Sequence, residues 1–131
     1  MNDQALIQFL RQAIPDLIAL YRFGSHAKGG TRPDSDVDLA VLTGNPIPAL
    51  RRFELAQELA TRLHCEVDLV DLRAASTVMR MQVISTGECL NSANGSARRE
   101  FEMYVYSDYA RLNEERREIL NRVRASGVIY G

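Results

Sequence analysis

At 131 residues, 46% of them hydrophobic, the chain has room for one domain with a core and is too short for two of ordinary size. Its formal charge of −1 comes without any block of lysines, which argues against a nucleic-acid groove or a polybasic membrane anchor. No apolar run approaches the roughly 20 residues needed to cross a bilayer, Cys65 and Cys89 form no C-x-x-C pair, and the opening residues lack the pattern of a secretory leader, so a soluble cytoplasmic protein with reduced thiols is expected.

Between Asp3 and Ile14, Leu6, Ile7, Leu10 and Ile14 recur at helical spacing, and Pro15 stops the pattern. "LIALYRF", Leu17 to Phe23, reads as a strand, and "GSHAKGGTRPDS" carries enough Gly, Pro and Ser to be a loop. "DVDLAVL" is a second strand, closed by the turn residues and two prolines of "TGNPIP". Ala49 to Leu63 is an amphipathic helix whose inward face is expected to carry Phe53, Ala56, Leu59, Ala60 and Leu63, and "CEVDLVDL" follows as a third strand. A short helix from Ser76 to Thr86, capped by Gly87, leads to a brief strand at "ECL" and a turn at Asn94-Gly95. From about Ser96 to Arg124 a long helix keeps Phe101, Val105, Asp108 or Tyr109, Leu112, Ile119 and Val123 on one stripe, with Glu118 and Arg122 spaced as an i,i+4 pair. Tyr104, Tyr106 and Tyr109 lie on the same helix, and at least one of them is expected to pack in the core.

The second strand raises a question of chemistry. With a period of two, Asp36, Asp38 and Ala40 share one face while Val37, Leu39 and Val41 share the other, so two like charges become neighbours. Such a pair is costly unless water, a cation or a positively charged ligand neutralises it. Gathered hard oxygens suit Mg²⁺, which binds to one or two protein carboxylates and completes its shell with water and substrate phosphates. Upstream, Ser25 and the backbone beside Gly24 can meet phosphate oxygens, because glycine permits close approach. On the third strand Asp68 interrupts an otherwise apolar segment; Asp71 shares the face of Val67 and Leu69 and so belongs to the packed side, and Glu66 is the rival on the face of Asp68. The reaction these groups suit is nucleotidyl transfer, with two metal ions activating a hydroxyl and stabilising a departing pyrophosphate. Gly24 to Thr31 nearly spells a P-loop, but Gly30 stands where that motif needs lysine and a strand follows where it needs a helix. Arg22 and Arg32 are weak candidates for offsetting phosphate charge, His26 is a loop donor or nothing, and His64 beside Cys65 has no zinc-ligand spacing.

"GS", ten residues, then "DVD" resembles the G-S-x₁₀-D-x-D signature of the polymerase-β-like nucleotidyltransferases, and the fuller "RFGSHAKGGTRPDSDVDLAVL" resembles their minimal nucleotidyltransferase antitoxin branch. The likeness continues through "VDLVDL", "VISTGECL" and the terminal helix. It implies that Gly24 and Ser25 bind the triphosphate of ATP, with Lys28 standing where the branch has a basic residue, and that Asp36, Asp38 and Asp68 hold two Mg²⁺ ions and carry catalysis. It further implies a partner, a HEPN-domain ribonuclease toxin, silenced by transfer of AMP to one of its tyrosines; the alternative is a non-catalytic antitoxin that acts by occlusion. The expected fold is α/β (α+β): a small twisted mixed sheet with helices on one face and an open acidic face. Residues 1–131 form a single domain in this reading, with a catalytic core over about 1–95 and a helix over about 96–126.

Overall fold

The computed structural model describes residues 1–24 and 36–126. Helix α1, Asp3–Ala13, begins where the Asn2 side chain accepts a hydrogen bond from Ala5 N at 2.8 Å, and it buries Leu6 and Leu10. Strand β1 runs Leu17–Phe23 and β2 Val37–Thr43. Helix α2, Ala49–Leu63, ends on His64, whose φ of 56° makes it the left-handed cap of that helix and gives it a structural place. Then come β3, Val67–Asp71, α3, Thr77–Thr86, β4, Glu88–Ser92, and α4, Gly95–Ala125.

The strands form one sheet in the order β3-β2-β1-β4. β1 is antiparallel to β2 and to β4, whereas β2 and β3 are parallel, as a strand-helix-strand unit built through α2 requires. Leu39, Val41 and Leu69 point to one face, where α1 and α2 close over them with Leu10, Leu55 and Leu59. Ala40 and Leu42 point to the other face and meet Tyr21, Leu72, Val83, Phe101 and Val105. The mixed α/β class is as expected, but helices lie on both faces: α3 and the first turns of α4 cover the second face, while Gly24, Asp36 and Asp68 at one end of the sheet stay exposed. The physical reason is visible in β2, where Leu39 to Thr43 are all buried, a continuous run rather than an alternation.

Two local expectations are corrected and one is kept. Phe53 is 58% exposed, because α2 turns Leu55, Ala56 and Leu59 inward. Asn94-Gly95 is a helix start rather than a free turn: Asn94 Oδ1 accepts from Ala97 N at 3.1 Å. Gly87 caps the C-terminus of α3 as expected, in extended backbone with its N–H on the Val83 carbonyl, so its smallness matters for contact rather than for φ. There a β-carbon would collide with the Val83 carbonyl oxygen and lie 3.1 Å from that of Arg22.

Helix α4, 31 residues long, extends about 46 Å at 1.5 Å per residue, more than the sheet beneath it can cover. Its first turns are fastened to the body. Phe101 and Val105 are buried, Arg73 and Arg80 lie over the Phe101 ring at 5.4 and 5.6 Å, and the Tyr21 hydroxyl donates to Glu102 Oε2 at 2.7 Å. Beyond the body, Ile119, Leu120 and Val123 are exposed. Tyr104 and Tyr106 are exposed as well, and Tyr109 is only half-buried, so none of the three tyrosines is core. Arg122 Nε donates to the Glu118 carbonyl at 3.5 Å instead of pairing with its side chain.

Candidate active site at the open end of the sheet

The parallel pairing of β2 with β3 places Asp38 directly across from Asp68. Register partners in a parallel pair project to the same face from strands about 4.8 Å apart, so the two carboxylates stand side by side. Asp38 is half-buried and Asp68 exposed. Asp36 is exposed just before β2, beside the hydrogen bond from Val37 N to Glu66 O at 2.9 Å. Burial first, and then the negative charge of Asp36, push the Cys65 thiol above its ordinary value, which places Asp36 near that side chain.

On the other flank of Asp38 lies the end of β1, where Phe23 pairs with Asp38 and Gly24 follows at φ +76°. Gly24 therefore faces the Asp38 carboxylate with backbone alone. Ser25 and Lys28, together with His26 and Arg32, lie outside the described residues.

The rivals for the third carboxylate separate by environment. Asp71 is buried and engaged in structure: Oδ2 accepts from Ile47 N at 2.8 Å and Oδ1 from Arg73 N at 2.9 Å. Glu66 lies before the strand, and Asp68 is the residue with Asp38 as its register partner. Arg22 is structural, bridging Asp3 at 2.9 Å and Glu88 at 3.2 Å and so tying α1 and β4 to β1.

Among the described residues, no three carboxylate, histidine or cysteine side chains are gathered as a ready-made metal cluster. Two carboxylates of hard oxygen on adjacent strands are nevertheless the protein share that a magnesium ion takes when phosphates complete its shell, and the donors fit that ion. Among the described residues no helix is long and apolar enough to cross a membrane.

A further feature beside Asp68 carries no motif. A groove of about 340 Å³ runs along the outer edge of β3, between Arg52 of α2 and the start of α3, and Asp68 forms part of its lining. Its walls come from three successive elements, α2, β3 and α3, and it exists only once they pack together, so no motif announces it.

Residues 4–96 match the family model described as polymerase beta, nucleotidyltransferase. The chain is 40% identical over 126 residues to the protein adenylyltransferase MntA of Shewanella oneidensis, spanning 96% of this chain and 90% of that protein. Its structure superposes with a TM-score of 0.84 on a toxin-antitoxin crystal structure with AMP-PNP, at 40% identity over 95% of this chain and 99% of the other. It also matches, at TM-score 0.77 and 38% identity, the structure of a tri-AMPylated Shewanella oneidensis HEPN toxin in complex with its MNT antitoxin, covering 93% of this chain and 95% of that one.

Proposed function

The chain belongs to the polymerase β nucleotidyltransferase family, and on that premise we propose that it is an antitoxin that transfers AMP from ATP to a tyrosine of a cognate HEPN ribonuclease toxin and so silences it. The observation that carries the reading is the Asp38–Asp68 pair at the open end of the sheet, with Gly24 facing Asp38. It is supported by a 40% identical relative named a protein adenylyltransferase and by a similar antitoxin bound to a toxin carrying AMP.

In this reading Gly24 and Ser25 cradle the triphosphate and Lys28 offsets its charge. Asp36, Asp38 and Asp68 hold Mg²⁺, which when bound supplies Lewis-acid stabilisation of the charge developing on the phosphates. The tyrosine oxygen bonds to the α-phosphorus of ATP, the bond from that phosphorus to the bridging oxygen of the β-phosphate breaks, and pyrophosphate leaves. Asp68 stands beside Asp38 where it can take the phenolic proton. An AMP added near a ribonuclease site sets a negative phosphate where the RNA backbone must approach, opposing substrate by repulsion and bulk.

The test is to incubate the protein with its cognate toxin, ATP and Mg²⁺, and to read toxin mass and RNA cleavage. The toxin is expected to gain the mass of one or more AMP groups, to stay inactive after the antitoxin is stripped away under denaturing conditions and the toxin refolded, and to gain nothing with Asp36→Ala, Asp38→Ala protein. A toxin of unchanged mass that the double mutant inhibits as well as wild type does would instead make this protein an occluding antitoxin.

A further inference from the structure

We propose that the groove on the outer edge of β3 is the seat of the acceptor tyrosine, an inference that rests on the adenylyltransferase reading above. The sheet order supplies the first argument. Across β3-β2-β1, the groove lies outside β3, the carboxylates sit on β3 and β2, and Gly24 stands at the end of β1. Displacement at a phosphorus places the incoming oxygen and the departing one roughly in line on opposite sides. With the triphosphate on the Gly24 side, pyrophosphate leaves toward β1, and the nucleophile must arrive from the β3 side. The groove opens there, with Asp68 in its lining.

Its lining supplies the second argument. Ala74 and Ala75 leave a slot rather than a wall, Val70 and Met79 offer apolar surface, and Arg52 stands along the edge. A tyrosine is an apolar plate with a polar tip, and this trough sets apolar Val70, Ala75 and Met79 beside polar Asp68, Asp71 and Ser76. A thioether and a guanidinium both make favourable contacts with an aromatic ring. Arg52 is held in place while doing so, since its Nη1 donates to the Leu69 carbonyl at 3.1 Å. That bond also occupies an outward carbonyl of the edge strand, which favours entry of a side chain over addition of a whole strand. A volume of about 340 Å³ suits one aromatic side chain and lies at the small end of the range for ligand pockets.

The experiment fills the groove from its exposed side. Ala74 is exposed and engages the body through its backbone N–H, which donates to Asp71 O at 3.1 Å, so a larger side chain there leaves that bond intact. Ala74→Leu and Ala74→Trp are compared with wild type for AMP transfer to the toxin at subsaturating toxin, and for affinity toward AMP-PNP. The expected result is a loss of kcat/KM for the toxin of about tenfold for Leu and about a hundredfold for Trp, graded with size, with AMP-PNP affinity retained. Should Trp prevent folding, as a melting curve would reveal, the Leu variant carries the comparison. Equal transfer by wild type and both variants overturns the groove alone. Parallel loss of AMP-PNP binding assigns the groove to nucleotide and overturns it too. A wild-type protein that leaves the toxin's mass unchanged overturns the adenylyltransferase reading, and the groove proposal with it.

Discussion

Gly24 stands so close to Asp38 that a β-carbon added to it would collide with the carboxylate Oδ2 and lie 3.1 Å from Cγ. The backbone there, at φ +76°, is also one that L side chains rarely adopt. In the proposed function, the residue that offers bare backbone to the phosphate is therefore also the one that makes room for Asp38, a carboxylate proposed to hold the metal. Gly24→Ala is expected to lower stability by about 1 to 3 kcal/mol and AMP transfer by far more, because Asp38 must shift to admit the methyl group. Chemical denaturation and toxin mass measured on the same preparation check both effects.

Asp68 and Asp71, three residues apart on one strand, are expected to fail in opposite ways. Asp68→Ala removes an exposed carboxylate that repels Asp38, so stability changes by about 0.5 kcal/mol or less, while transfer falls by about a hundredfold or more if this residue takes the phenolic proton. Asp71→Ala strips the acceptors from Ile47 N and Arg73 N in a buried place and is expected to cost about 2 kcal/mol or more, with activity retained by the folded fraction. Urea midpoints and initial rates for the two variants decide between these assignments.

The Tyr21 hydroxyl carries a pH dependence. Burial, then its hydrogen bond to Glu102 and the charge of that carboxylate, raise its pKa well above the ordinary value of 10.0, with Arg98 opposing weakly. A group whose folded pKa is raised holds its full contribution below the unfolded pKa and loses it as pH climbs through the folded one. Stability is thus expected to begin falling near pH 10, by at most about 1.4 kcal/mol per pH unit from this group. Tyr21→Phe is expected to cost about 0.5 to 1.5 kcal/mol at neutral pH and to flatten the alkaline decline relative to wild type. Denaturation series between pH 7 and 11 measure both.

The two halves of α4 are expected to differ in what they contribute. A chain ending at Asn94 loses Phe101 and Val105 from the second core, where a buried phenylalanine alone is worth about 3 to 5 kcal/mol, and is expected not to fold. One ending at Asn113 keeps both residues and the Tyr21–Glu102 bond, and is expected to melt within a few degrees of the full chain. Circular dichroism melts of the two truncations distinguish the halves.

Local signals carried much of this protein. Periodicity and stop residues placed β1 at Leu17–Phe23 and α2 at Ala49–Leu63. The strand parity that set Asp68 apart from Asp71 reappears in the register and in the hydrogen bonds of Asp71. Those signals work because a helix or strand repeats its geometry every few residues, so which side chains share a face can be read along a single segment.

What lay beyond reach depends on which segments meet. Phe53 has the spacing of an inward residue, yet α2 is rotated so that Leu55 faces the sheet instead. The covering of the second face by α3 and α4 and the structural duty of Arg22 between Asp3 and Glu88 bring together residues far apart in the chain, and the groove joining Arg52, Asp68 and Met79 depends on how three successive elements pack. The sequence by itself determined the elements, the D-x-D face and the glycine beside it, because these are properties of neighbouring residues and their alternation. Only the tertiary structure decided that Asp38 pairs in register with Asp68, that Gly24 leaves room for Asp38 and that a groove opens beside Asp68, because strand order and helix docking follow from burying both faces of one sheet at once.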